Sequence, residues 1–375
     1  MTGFAIAGIG TAFVDFPDRT LHRRILLRRA VEQAIADSGL ERAQIDGYLT
    51  TMGPVDDIRF LGLAPGFVAS VDSGGASPMA AVISAIGAIS AGVATAVLCT
   101  FASTVGPTSG AIGEVSHRYP SLWGMSGAVT AHALLAQRYL HTYGLSAEAL
   151  GAVAVAQRDL AQRRDDAAYR GKPLSLDEYL QSPFVVDPLR RLDCCRDANV
   201  GAAMIITQAD VARGHGEDVV RIAGLGTGEN LRNWHAGLAF DRHDDIVPAR
   251  DRALAQAAID LKDVDTAQLY DPFTISVLMQ LEEYGFCRPG EAAAYIESGA
   301  TRPGGELPVN TGGGQLSGWY AIGFTPIVEA VRQLRGRAGD TQVPGATTAL
   351  VSNHGGSSGV PNTYHHMTMI LRSGE

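Results

Sequence analysis

The residues with the clearest chemical potential are four small ones, Gly74-Gly75-Ala76-Ser77, which follow an apolar stretch and open an Ala-rich helical pattern over Pro78 to Gly92. A small-residue turn from strand into helix is where many acyl-transfer enzymes hold a Cys or Ser, at the positive end of the helix dipole. Here the central position is Gly75. Its backbone N–H can still face an anion, which makes Gly75 a candidate oxyanion-binding residue. A covalent acyl-enzyme cannot form on a hydrogen atom, so chemistry at this turn has to proceed without that intermediate. The four cysteines, Cys99, Cys194, Cys195 and Cys287, fit neither zinc spacing nor a disulfide framework. Cys194 and Cys195 read as lining a core, and Asp193 with Arg190 as a structural pair. His365-His366 lacks the i,i+4 spacing of a helical ligand pair and reads as a turn or sheet edge. No metal site is expected.

Such a turn needs a strand behind it and a helix in front, and the chain carries that arrangement twice. Residues Leu27 to Leu49 read as a helix with Ala30, Val31, Ala34 and Ile35 on one face, a Ser38-Gly39 stop, and Ile45 to Leu49 entering a strand. Arg252 to Tyr270 repeat the pattern, helical over Arg252 to Ile259 with Val264 to Leu269 leading into a strand. Gly74-Gly75, a long helix and the strand Ala94 to Cys99 are matched by Gly313-Gly314, a helix from about Trp319 to Leu334, and the strand Thr347 to Ser352. Repetition at this scale implies two like α/β units packed together. The expected organisation is a first lobe over 1–245, carrying an insertion over about 101–196, and a second lobe over 246–375. The insertion holds helical patterns at Gly127 to Tyr143 and Ala147 to Arg164, and is a natural place for substrate-recognition loops.

The bulk numbers agree with an enzyme-sized globular chain. At 375 residues, 46% hydrophobic and 18% charged, it can bury the cores of two lobes. A net charge of −9 without a long Lys/Arg run argues against a nucleic-acid partner, while allowing a local basic patch for a phosphorylated ligand. No apolar run reaches membrane-spanning length, and Met1 to Gly10 runs into a strand-like stretch without a signal-peptide profile. The expectation is a reduced, cytoplasmic protein with no membrane association.

These features together resemble the thiolase superfamily, whose members are duplicated α/β proteins with a loop domain inserted in the first half. The family's nucleophilic Cys aligns with Gly75, its N-E-A-F or H-D-x-F motif with Tyr270-Asp271-Pro272-Phe273, its G-H-P-x-G motif with Trp319-Tyr320-Ala321-Ile322-Gly323, and its C-terminal loop with Asn353-His354-Gly355-Gly356. Within it, the chain is more similar to the lipid-transfer-protein-like branch and its steroid side-chain aldolases. Tyr270, the stretch Asn310-Thr311-Gly312-Gly313-Gly314-Gln315-Leu316 and Tyr320 carry that resemblance, with Gln280-Leu281-Glu282-Glu283, Gly171-Lys172-Pro173 and Pro188 to Cys195 beside them. The implied fold is the thiolase fold, α/β with duplicated α/β/α/β/α layers and an inserted loop domain.

The resemblance implies retro-aldol cleavage of the Cα–Cβ bond of a β-hydroxyacyl-CoA with a steroid-derived acyl chain. Tyr270 and Tyr320 would be the catalytic pair, with no acyl-enzyme and no cofactor, CoA being part of the substrate. By residue type alone, Tyr270 is a packed aromatic at a strand end. As acid and base, the two tyrosines would need neighbours that shift them from about 10 toward neutrality. Amides of Gly75 and of Gly355-Gly356 would bind the thioester oxygen, and His354 would hydrogen-bond a tyrosine or the enolate. Asp271 reads as an N-cap for a helix beginning near Phe273. The branch often has His where Gly312 and Ile322 stand. Its relatives also imply a homodimer and a heterotetramer with an OB-fold, zinc-ribbon partner. The rival readings are a non-catalytic acyl-CoA-binding subunit of a larger complex and a degenerate acyl-CoA acyltransferase.

Overall fold

The computed structural model of the chain describes residues 3–14, 21–104, 127–214, 219–229, 245–355 and 365–374. The first unit runs β1 (Phe4–Val14), α1 (Arg23–Ser38), β2 (Gly47–Thr51), β3 (Phe67–Val71), α2 (Ser77–Ser90) and β4 (Ala96–Ser103). The insertion follows with α3 (Gly127–Tyr143), α4 (Ala147–Ala161) and a small hairpin, β5 (Phe184–Val186) and β6 (Leu189–Arg190), before β7 (Asn199–Gln208). The second unit runs β8 (Val220–Glu229), α5 (Ile246–Ala257), β9 (Thr266–Gln268), α6 (Thr274–Glu283), α7 (Phe324–Leu334), β10 (Thr348–Gly355) and β11 (His365–Ser373).

Among the described residues the main sheet has the order β3-β2-β4-β7-β1-β8-β11-β10-β9. The duplication is visible in it. β2-β4-β7-β1 on one side is matched by β9-β10-β11-β8 on the other, with one parallel and two antiparallel pairings in the same sequence. The halves meet where Phe4–Ile6 pairs antiparallel with Val220–Ile222.

Small residues dictate how closely the layers stack. A Cβ on Gly10 of β1 would overlap the Ala30 carbonyl of α1, and one on Gly226 of β8 would overlap the Ala249 carbonyl of α5. The same glycine-on-helix device therefore serves both units. α2 and α7, the second long helices of the two repeats, share one apolar cluster: Met79 and Val82 pack with Phe324, Ile327 and Val328 and with strand residues of both halves. α1 closes one outer face, while α5, α6 and the insertion helices α3 and α4 share another cluster. The result is the layered α/β arrangement expected from the repeat.

Two local expectations are corrected. The helix expected from about Trp319 starts instead at Phe324, because Gly314–Gly318 forms a π-turn, Trp319 is extended and Ile322 has φ 45°. His366 is not at a turn or edge: it lies on β11, inside the sheet between β8 and β10, and is 1% exposed. Among the described residues, no helix is long and apolar enough to cross a membrane.

Candidate active site

The turn before α2 is built as an elbow. Ser77 Oγ donates to the Gly74 carbonyl at 2.7 Å and accepts from the Ser73 N–H at 2.8 Å, while Pro78 presets the first helical turn. Gly75 sits at its apex with no room for a side chain. A Cβ there would overlap the hydroxyl and Cζ of Tyr270 and lie 2.6 Å from the His354 carbonyl oxygen. The Tyr270 phenol thus fills the space into which a nucleophile at position 75 would project.

Tyr270 follows β9 and is 5% exposed. Its hydroxyl donates to Tyr320, which is half-buried and comes from the extended segment after the π-turn. Burial pushes both phenols above the ordinary tyrosine value, with the charges of Tyr320 and Cys195 next for Tyr270 and that of Cys195 next for Tyr320. The shift toward neutrality that the sequence reading called for does not occur; desolvation dominates. Both phenols carry their protons at neutral pH.

His354 is the penultimate residue of β10, is 4% exposed, and meets Tyr270 edge-on with centroids 4.8 Å apart. Behind it, His366 lies 5.8 Å away ring to ring, its Nε2 held 2.7 Å from the Tyr284 hydroxyl. Gly355 abuts the elbow, since a Cβ there would overlap the Ser73 carbonyl. Gly75, Tyr270, Tyr320, His354 and Gly355 are therefore gathered at one point from four separate segments. Gly356 lies outside the described residues.

Asp271 is a cap, but not of α6, whose N-cap Phe273 makes no side-chain cap bond. Its carboxylate turns to the π-turn instead and accepts from the Gln315 N–H at 3.0 Å and the Leu316 N–H at 3.3 Å. Gly314 is required there, because a Cβ would overlap the carboxylate and its φ is 60°. Burial pushes this carboxyl up to about 8, against the pull of those N–H bonds. Asp271 thereby ties the segment carrying Tyr320 to the residue next to Tyr270.

Cys194 lies in the cluster shared by insertion and second unit, as expected, and burial pushes its thiol up to about 12. Cys195 donates its N–H to the Pro272 carbonyl at 2.9 Å, which brings its thiol to the tyrosine pair; burial raises it well above the ordinary value. Neither supplies a thiolate nucleophile at neutral pH. Asp193 is structural: it accepts from the Arg190 N–H at 2.6 Å, the Tyr179 hydroxyl at 2.8 Å and the Thr274 hydroxyl at 2.6 Å. Gly312 faces Glu329, whose Oε2 a Cβ there would meet at 2.9 Å, and Ile322 belongs to the apolar cluster around Trp319 and Phe324. Three residues at the site escaped the sequence reading: Cys195 as a neighbour of the tyrosines, Ser352 and Gln280. Strand alternation in β10 puts Ser352 on the same face as His354 and was the available signal for it.

Comparison with known proteins decides the family. A family model described as thiolase C-terminal domain-like matches residues 243–373. The 17-hydroxy-3-oxo-4-pregnene-20-carboxyl-CoA lyase of Mycobacterium tuberculosis is 34% identical, over 96% of this chain and 97% of its own. This chain belongs to the aldolase branch of the thiolase superfamily. The steroid side-chain-cleaving aldolase of Thermomonospora curvata is 33% identical, over 96% of both chains. A solved structure of an Ltp2-ChsH2(DUF35) aldolase superposes with a TM-score of 0.88 at 31% identity, covering 99% of this chain and 98% of that one. The chain is thus a carbon–carbon lyase built on the thiolase fold.

Proposed function

We propose that this aldolase cleaves the Cα–Cβ bond of a steroid side-chain β-hydroxyacyl-CoA ester without a covalent acyl-enzyme. The observation that carries the reading is the Tyr270 phenol occupying the space above Gly75. Tyr320 reacts from the fraction of enzyme in which it is a phenolate, a form stabilised by a hydrogen bond from Tyr270; it takes the proton of the substrate's β-hydroxyl as the Cα–Cβ bond breaks and becomes neutral. The electron pair of the broken bond moves into the thioester enolate. The proton returns from the tyrosine pair to Cα, so no net proton is gained or lost. The amides of Gly75 and Gly355 are the donors for the thioester oxygen, with the His354 ring packed edge-on against Tyr270.

Substrate class follows from the two relatives at 33–34% identity that carry steroid-cleaving names. A partner is supported by the Ltp2-ChsH2(DUF35) relative, and we assign it the OB-fold, zinc-ribbon type. The edge strand β3 leaves Val68 37% exposed, which supports a homodimer through this edge. Incubation with 17-hydroxy-3-oxo-4-pregnene-20-carboxyl-CoA tests the reading. Release of a steroid ketone and a shorter acyl-CoA is expected; binding without cleavage, with and without the partner, would favour a non-catalytic subunit.

A further inference from the structure

We infer that Gln280 and Ser352 are positioning residues that hold the Tyr270 phenol over Gly75 by gripping its main chain. The inference rests on the reading of Tyr270 as the catalytic phenol. β9 ends at Gln268, so the main chain of Tyr270 has left the sheet ladder. Its buried N–H and C=O must find other partners. The N–H donates to Ser352 Oγ at 2.9 Å, and the carbonyl accepts from Gln280 Nε2 at 2.7 Å. Ser352 Oγ in turn donates to Gln280 Oε1 at 2.5 Å, which closes a ring of three hydrogen bonds around one peptide residue. Gln280 is 0% exposed, as is Ser352.

The ring has one polarity. The second N–H of Gln280 donates to the Ser276 carbonyl at 2.7 Å. Flipping the amide would set its oxygen against two carbonyls, so the orientation is fixed. The clamp also joins the site's elements: Ser352 is two residues before His354 on β10, so one strand face supplies both the grip on the Tyr270 backbone and the ring beside its phenol. A Tyr at this position can rotate its phenol, but its Cα cannot shift while the ring is closed. Preorganised placement of a reacting group to within a fraction of an ångström is what catalysis needs, and a misplacement of about 1 Å costs on the order of 10²-fold in rate.

The test compares kcat and KM of the full chain and of Gln280→Met, Gln280→Glu, Ser352→Ala and Tyr270→Phe on the pregnene carboxyl-CoA ester. Each is assayed below its own unfolding temperature, with circular dichroism confirming the fold. Gln280→Met, of similar volume but unable to donate or accept, is expected to lose about 10²-fold in kcat with KM little changed. Ser352→Ala should lose kcat in the same way. Gln280→Glu gives a signature that a merely structural role would not: when protonated it keeps an acceptor for Ser352 and a donor for Tyr270, and when ionised it loses the donor. Burial raises such a carboxyl, so kcat of this variant should fall as pH rises through that value, a limb additional to any that the wild type shows. The titratable side chains around this point, Tyr270, Asp271, Tyr284, Tyr320, Cys195, His354 and His366, are unchanged in the variant, so a limb absent from the wild-type profile belongs to the introduced carboxyl. Should Gln280→Met fail to fold, the pH limb of Gln280→Glu decides alone. Folded Gln280→Met with wild-type kcat, or Gln280→Glu with the wild-type pH profile, overturns the positioning role. If Tyr270→Phe keeps wild-type kcat, the catalytic reading of Tyr270 falls and takes this inference with it. If Tyr270→Phe is inactive and Gln280→Met is not impaired, only the positioning role falls.

Discussion

Replacing Gly75 by Ala adds a single methyl group at the point where the elbow, Tyr270 and β10 converge. Two of the atoms it meets belong to the Tyr270 phenol and the third is the main-chain oxygen of His354, 2.6 Å from the new carbon. Apolar carbons sit comfortably at about 3.5–4.0 Å from their neighbours, so the phenol would have to retreat by about 1 Å or more. It cannot do so freely, because the Tyr270 backbone is bonded on both sides, to Ser352 at 2.9 Å and Gln280 at 2.7 Å. Overpacking of this kind costs about 1–3 kcal/mol, and a displacement of this size at the reacting group costs about 10²-fold in rate. Gly75→Ala should therefore lower both denaturant stability and kcat. The cause is separable by a double-mutant cycle on stability: in a Tyr270→Ala background the phenol is gone, and the added methyl should cost less by about 1 kcal/mol or more. Gly75→Ala with unchanged kcat, or a strictly additive cycle, would refute the claim that the phenol occupies the nucleophile's space.

Intact-mass measurement after incubation with the acyl-CoA ester should show no acyl adduct; a trapped adduct on Cys194 or Cys195 would favour an acyltransferase. Folded Asp271 keeps its proton up to about pH 8, whereas the unfolded chain loses it near about 4. Between those values the folded state binds the extra proton, so this group's contribution to stability falls as pH rises. The stability of Asp271→Asn relative to wild type should accordingly increase from acid to pH 8 in urea titrations; parallel pH curves would contradict this. Light scattering should report a dimer of the 39.4 kDa chain, and Val68→Lys on the β3 edge should shift it toward monomer; a wild-type monomer at micromolar concentration would remove the proposed interface.

Much of the frame was legible because it is carried by patterns with a physical cause. The repeat of helix, stop and strand in the two halves, the Pro78-led helix α2 and the insertion helices α3 and α4 all follow from periodicity and turn chemistry, and all appear in the fold. The site was legible only through motif resemblance, since Tyr270 and Tyr320 lie fifty residues apart and nothing local says that they meet. What escaped was tertiary. The start of α7 was misplaced because the π-turn at Gly314–Gly318 is held by Asp271, more than forty residues upstream. The same remote contact made Asp271 look like a cap for its own helix. His366 reads as a turn or edge residue from sequence because its strand partners, β8 and β10, come from distant segments. The direction of the tyrosine shifts depends on how completely the site is closed from water, which no spacing in the chain encodes.

The most direct measurement of the central claim is turnover of the pregnene carboxyl-CoA ester by Tyr270→Phe beside the wild type. The substitution removes one hydroxyl and leaves the ring that packs over Gly75. If that hydroxyl belongs to the proton-transferring pair, the folded variant should lose about 10²–10⁴-fold in kcat while still binding the ester. Cleavage at the wild-type rate by Tyr270→Phe would contradict the account.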